Sequence, residues 1–313
     1  MARVLYLGGL GRSGTTLVER LLGELPSVCA LGEVVHLWQR DILDDERCGC
    51  GARFSACAFW REVGERAFGG WSNVDVARVH ALRDSVERTR HIPRLASGQA
   101  PGDEVREYAS YYARVYAAAA QVSGAEVVVD SSKHSALAHV LRFAEGVDLR
   151  VVHVVRDARG VAYSWTKTVA RPEADGTAEM TRYSPGRSAV LWNAHNAAFG
   201  LLARRGVPVR RIRYEEFLVD PRAALLRLAD FAGLRLATAD MAFLRPGHAD
   251  LSVGHSAAGN PMRFTVGRLP LRRDDAWVRA LPGYQRRLVG AVCAPMLRAY
   301  GYPLNPAEAS QEA

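Results

Sequence analysis

The sequence predicts an α/β fold in which a central parallel sheet is flanked by helices on both faces. Two observations carry this. Short, almost wholly apolar runs recur along the chain, and each is followed by a segment with helical spacing. A third is size, since 313 residues, 49% hydrophobic and 24% charged, suffice for one large domain with a buried sheet. That composition excludes wholesale disorder, a collagen-like fibre and a small disulfide framework.

The first strand is Arg3–Leu7, followed by a glycine cluster and a helical pattern from about Thr15 to Leu25, which Pro26 stops. Further strands are expected at Glu126–Asp130, Leu149–Val155 and Pro208–Arg213, with helices at about 135–144, 158–168 and 221–232. Between about 39 and 124 the strand signal disappears and two helices are expected, 74–89 and 103–122, joined by a Pro/Gly/Ser segment. No linker flanks this stretch, so the expectation is a single domain, 1–313, with a helical insertion on the ligand-binding side. Residues 171–186 read as a loop, 188–205 and 284–299 as helices, and the last residues as a loose tail.

Charge narrows the partners less than it first suggests. Lys+Arg exceed Asp+Glu by 41 to 33, a net charge of +8, which suits nucleic acid, an acidic membrane or a phosphorylated small molecule. Lys133 and Lys167 are the only lysines, however, so most of the excess is an arginine-biased composition. The arginines are scattered rather than striped, which weighs against a nucleic-acid-binding protein. No run reaches the roughly 20 apolar residues of a membrane span. Arg3–Leu7 leads straight into glycines without a signal-peptide pattern, and five cysteines is an odd count. The expectation is a cytoplasmic protein, and a homodimer is compatible with everything above.

Gly9-Leu-Gly-Arg-Ser-Gly14-Thr-Thr16 matches most of the phosphate-loop pattern G-x-x-x-x-G-K-[ST]. Its glycines let successive N–H groups converge on an anion at the start of a helix. Thr15 stands where a nucleotide kinase needs lysine, which counts against a triphosphate, and the cation has moved to Arg12, with Ser13, Thr15 and Thr16 as hydroxyl partners. In this the sequence resembles the sulfotransferases that use 3′-phosphoadenosine 5′-phosphosulfate (PAPS), in the arginine form of the loop found in tyrosylprotein and many bacterial sulfotransferases. The resemblance implies a three-layer fold like that of the P-loop nucleotide triphosphatases. It also implies PAPS as sulfuryl donor, adenosine 3′,5′-bisphosphate (PAP) as product, and no metal requirement.

A second motif is independent of the first. The apolar run 149–155 ends in Arg156, and Ser164 follows eight residues on, about two helical turns. This is similar to the family's 3′-phosphate motif. Tyr214, after the 208–213 strand, and Arg263, in the turn-rich Gly259-Asn-Pro-Met-Arg263, take further nucleotide-binding positions by the same resemblance. The acceptor is expected to be a small-molecule hydroxyl.

Sulfuryl transfer needs a base for the acceptor's proton and cations for the leaving side. Glu33 and His36 are the candidate bases; the resemblance favours Glu33, because its distance of 21 residues from Arg12 is similar to that between the loop arginine and the catalytic glutamate of tyrosylprotein sulfotransferases, whereas the animal cytosolic enzymes use histidine. Lys133, closing Val-Val-Val-Asp130-Ser-Ser-Lys133, sits where a family lysine stabilises the transition state. Asp130 is the residue a kinase reading would use as its Walker B acid. Cys48, Cys50 and Cys57 are read as packing thiols or one local disulfide ahead of zinc, although His36 or His80 would complete a ligand set. Trp60, Trp71, Tyr108, Tyr111 and Tyr112 are core residues or an acceptor wall.

Overall fold

The computed structural model describes residues 1–97, 99–170 and 179–305. Five parallel strands, β1 (Ala2–Gly8), β2 (Val28–Ala30), β3 (Val127–Lys133), β4 (Val147–Val155) and β5 (Val209–Arg213), form one sheet in the order β2-β3-β1-β4-β5. The helices are α1 (Thr15–Leu22), α2 (Ala58–Phe68), α3 (Val76–Val86), α4 (Ile92–Leu95), α5 (Asp103–Ser123), α6 (Ser135–Leu141), α7 (Ala158–Thr166), α8 (Pro185–Ala203), α9 (Tyr214–Val219), α10 (Pro221–Ala232), α11 (Trp277–Ala280) and α12 (Gly283–Ala299).

Alternation along the strands builds the three layers. On β1, Val4 and Tyr6 join a core with Val128, Val151 and residues of α5 and α6. Leu5 and Leu7 point the other way, joining Val129, Val152, Val154 and residues of α1 and α10. Both faces are covered, so the strands read as continuous apolar runs without polar alternation.

The helical stretch between β2 and β3 holds three longer helices, α2, α3 and α5, one more than the sequence predicts. Trp60, Tyr108 and Tyr112 are fully buried in it, and Trp71 packs against that core. A second, antiparallel sheet was not expected: β6 (Leu244–Arg245), β7 (His248–Leu251) and β8 (Gly267–Pro270), in the order β6-β7-β8. Part of the expected 171–186 loop and the C-terminal tail lie outside the described residues.

Asp130 is fully buried on β3, accepting hydrogen bonds from Tyr116 Oη (2.5 Å) and the Ser132 amide (2.7 Å). It therefore faces the core, not a nucleotide, which removes the main support for a kinase. Burial, working against the Ser132 and Tyr116 hydrogen bonds, pushes its pKa up to about 7. The folded state thus holds this proton more tightly than the unfolded chain, where aspartate titrates near ~4. The resulting stability is complete below about pH 4 and is lost as pH rises through about 7. Asp130→Asn keeps a neutral side chain at every pH. Its Tm, measured from pH 4 to 8, is expected to fall less steeply with rising pH than that of the wild type; parallel curves would refute the assignment.

Candidate active site

In a parallel sheet every strand delivers its C-terminal end to the same edge, and ligands bind where the strand order reverses. Here β1 is central, with β3 on one side and β4 on the other. Each strand hands one predicted residue to that edge. Glu33 follows β2, Lys133 ends β3, Arg12 follows β1, Arg156 follows β4, and Tyr214 follows β5.

The loop after β1 is tightly constrained. Gly14 has φ +91°, and a Cβ there would collide with the Tyr214 ring. Arg12 adopts a left-handed φ of 76°, an uncommon conformation for a non-glycine residue and one that concentrates at functional sites. Trp165, from α7, donates through Nε1 to Gly11 O at 2.9 Å and lies under the Arg12 guanidinium, 5.3 Å away. Arg12 Nη2 also contacts Met180 Sδ at 3.4 Å. Burial lowers the Arg12 pKa from its ordinary value, and Glu33 opposes that shift. Ser13 and Thr15 are buried, and neither Thr15 Oγ1 nor Arg12 Nε has a hydrogen-bond partner among the described residues. Unpartnered buried polar atoms are costly unless a ligand or water meets them.

Beyond β4, Arg156 donates to Arg12 O (3.3 Å) and to both Asp274 O (3.1 Å) and Asp274 Oδ2 (3.2 Å), with its guanidinium 5.0 Å from the Tyr214 ring. Lys167 Nζ reaches the same carboxylate oxygen at 3.5 Å. Burial would raise the Asp274 pKa, but Arg156 and Lys167 outweigh it and hold it below the usual range. Ser164 is half-buried on α7, the helix that starts two residues after Arg156. Arg156 and Lys167 thus share one acid, Asp274, which pairs with both.

Arg263 is held within the protein. It is buried (1% exposed), donates to Arg47 O at 2.9 Å and lies 4.6 Å from the Phe264 ring. It therefore braces its own turn against the helical stretch. The segment after β8 reaches Arg156 through Asp274, and Arg272 and Arg273 precede that residue. Two adjacent arginines followed by two aspartates mark this segment in the sequence.

At the other end, Lys133 and Glu33 form a short ion pair through Nζ and Oε1, both largely buried. Lys133 too has a left-handed backbone, φ 69°, next to a register shift between β1 and β3. Glu33 Oε2 lies 3.7 Å from His36 Nε2. Burial first, then the neighbouring His134 and arginines, lowers the His36 pKa well below the ordinary value, so its ring is neutral near pH 7. The Glu33 amide donates to Ala258 O at 3.1 Å. Gly259, φ +140°, lets that loop pass so close that a Cβ would sit 2.7 Å from Glu33 Oε1. Behind His36, the His134 ring packs edge-on and its Nδ1 lies 2.9 Å from Glu87 Oε1; Tyr108 hydrogen-bonds the other Glu87 oxygen.

The three cysteines are not disulfide-bonded. Cys50 and Cys57 Sγ atoms stand 3.8 Å apart, nearly twice an S–S bond length. His255, not His36 or His80, is the histidine beside them, its Nδ1 at 3.3 Å from Cys57 Sγ and 3.9 Å from Cys48 Sγ.

A sequence model of the sulfotransferase family matches residues 5–238. Carbohydrate sulfotransferase 7 of Mus musculus is 36% identical over 110 residues, which are 33% of this chain and 22% of that protein. The chain thus spans about a fifth of the length of that relative. Among solved structures, the sulfotransferase domain from the curacin biosynthetic pathway superposes with a TM-score of 0.54 at 16% identity, covering 97% of this chain and 99% of that one. The sulfotransferase domain of the Synechococcus PCC 7002 olefin synthase gives 0.48 at 19% identity over 97% and 96%.

Proposed function

The chain belongs to the sulfotransferase family, and from that premise we propose that it transfers the sulfuryl group of PAPS to a hydroxyl of a small-molecule acceptor, a natural product, lipid or sugar, by in-line displacement. What supports this reading above all is the order of side chains along the sheet edge: Glu33, Lys133, Arg12, Arg156, Tyr214. An acid–cation pair lies at one end, a phosphate loop at the centre, and a second anion anchor at the other end. A donor with phosphate groups at both ends of its ribose fits this polarity, with the acceptor beside Glu33.

The phosphate loop fits the donor in its own chemistry, since Thr15 Oγ1 and Arg12 Nε are buried and unpartnered where the phosphosulfate would lie. Arg12, Ser13, Thr15, Thr16 and the Gly14 N–H would hold that end; Arg156 and Ser164 would hold the 3′-phosphate, and Tyr214 the neighbouring wall. Bound PAPS supplies a sulfuryl group activated by its phosphate leaving group. Glu33 takes the acceptor's proton. Once Glu33 is neutral, its ion pair with Lys133 dissolves, and the ammonium becomes available to the leaving side, where Arg12 already stands. Proton removal and leaving-group stabilisation are thus coupled through one pair. His36, neutral and 3.7 Å from Glu33, orients the carboxylate or relays its proton outward.

We read residues 1–313 as one domain, with the stretch of about 39–124 serving the acceptor side. Sugar hydroxyls are among the first acceptors to try, in view of the partial likeness to a carbohydrate sulfotransferase. Calorimetric titration tests the donor assignment. PAP is expected to bind stoichiometrically without added metal, and ATP with Mg²⁺ far more weakly. Tight ATP binding with no response to PAP would overturn it.

A further inference from the structure

Outside the sheet edge lies a second cluster with its own chemistry. Cys48, Cys50, Cys57 and His255 each turn one ligand atom toward a common centre, and the four atoms all lie within 4.8 Å of one another. Tetrahedral zinc with Zn–S of ~2.3 Å and Zn–N of ~2.0 Å sets S···S and S···N edges of roughly 3.5–3.8 Å. Three of the six edges are 3.8 Å (Cys50–Cys57), 3.9 Å (Cys48–His255) and 3.3 Å (Cys57–His255), within about 0.4 Å of that spacing, and the others lie within 4.8 Å. From this geometry we infer that the chain carries a structural zinc ion, bound by three thiolates and the Nδ1 of His255.

The local backbone is built for it. Cys48 and Cys50 sit in a tight turn closed by Cys48 N–H donating to Ala52 O and Gly51 N–H to Cys48 O, at 2.9 and 2.8 Å. Cys57 immediately precedes α2. His255 arrives from a loop about two hundred residues later and is fixed in place. Its ring stacks on Phe59 at 5.1 Å, and its carbonyl accepts from Trp60 Nε1 at 2.8 Å. Cys48 and Cys57 are buried, with Cys50 and His255 at the rim. Binding displaces one proton from each thiol and leaves a single negative charge, near which Arg47 donates to Gly51 O at 3.1 Å. Four protein ligands fill a tetrahedral shell, so the site has no open position for catalysis.

Its place explains what the ion does. The loop carrying His255 continues into Ala257, whose N–H donates to Leu31 O, and Ala258, which accepts from the Glu33 amide. Ser256 Oγ donates to buried Glu19 on α1. Zinc therefore ties the start of the helical stretch to the loop that sets the Glu33 carboxylate, without touching the phosphate loop.

The test is metal content, which does not depend on the sulfuryl-transfer reading. Protein purified under reducing conditions from zinc-supplemented medium is expected to contain about one zinc per chain by elemental analysis. Cobalt substitution is expected to give the thiolate charge-transfer bands of a tetrahedral site. Cys50→Ser, at the rim, is expected to weaken zinc at least tenfold, on the order seen when a metal site loses a supporting group, and to reduce the cobalt charge-transfer intensity. Metal-free protein that takes up no zinc when reduced would overturn the inference, as would a Cys50–Cys57 disulfide found by mass spectrometry in anaerobically purified material. Should Cys50→Ser fail to fold, the wild-type zinc content and cobalt spectrum still decide.

Discussion

Replacing Glu33 by glutamine is expected to lower transfer at saturating donor and acceptor by about 10²–10⁴-fold, the usual contribution of a general base, while PAP affinity changes by no more than about threefold. The side chain keeps its shape, and its backbone contact to Ala258 is untouched. What is lost is the ability to accept a proton and to hold Lys133 as an ion pair. Because Lys133 is then uncompensated on the donor side, any change in PAP affinity is expected toward tighter binding. That sign separates loss of the base from collapse of the site, which would weaken PAP and activity together. His36→Asn is the companion measurement. With a neutral ring 3.7 Å from Glu33, its removal is expected to slow transfer far less than Glu33→Gln. An active Glu33→Gln enzyme together with a dead His36→Asn enzyme would move the base to His36.

The half of the site proposed to hold the donor was legible in the sequence because its residues lie on contiguous motifs. Gly9 to Thr16 form one strand-to-helix loop, and Arg156 and Ser164 share one strand-to-helix junction, so spacing along the chain stands in for distance in space. The acceptor half depends on contacts across the fold. Glu33 and Lys133 are 100 residues apart, and only the adjacency of β2 and β3 makes them partners. Spacing from Arg12 pointed to Glu33, but not to the ion pair that couples it to the leaving side. His255 is 198 residues from Cys57, so no local pattern could single it out over His36 or His80. The Arg263 expectation rests on a weaker local signal. A glycine-containing turn before a basic residue is common, and which turn reaches Arg156 is decided by the antiparallel sheet β6-β7-β8. Those strands have two to four residues and include Pro270, too little for alternation to register. The long parallel strands were legible for the opposite reason, since burial on both faces writes continuous apolar runs into the sequence.

Arg156→Ala is expected to weaken PAP by about 10–100-fold, as befits a charge-assisted bond of roughly 1.5–3 kcal/mol, and to leave 5′-AMP affinity nearly unchanged. The comparison matters because Arg156 does two things. It offers a guanidinium at the proposed second anion site, and it braces the phosphate loop by donating to Arg12 O at 3.3 Å. A purely bracing role would weaken both nucleotides alike, since both use the loop. Recognition of the 3′-phosphate costs only the ligand that carries one, so the wild-type preference for PAP over AMP should collapse. Asp274 refines the test. In the free protein its carboxylate holds both Arg156 and Lys167, so an incoming phosphate must compete with it. Asp274→Asn is accordingly expected to tighten PAP in the wild-type background, and to do so much less once Arg156 is alanine. Arg156→Lys keeps the charge but loses the fork that serves two acceptors at once, and should fall between wild type and alanine. Equal losses for PAP and AMP in Arg156→Ala, with no response to Asp274→Asn, would show that this corner of the fold is a brace and that the 3′-phosphate, if recognised, is held elsewhere.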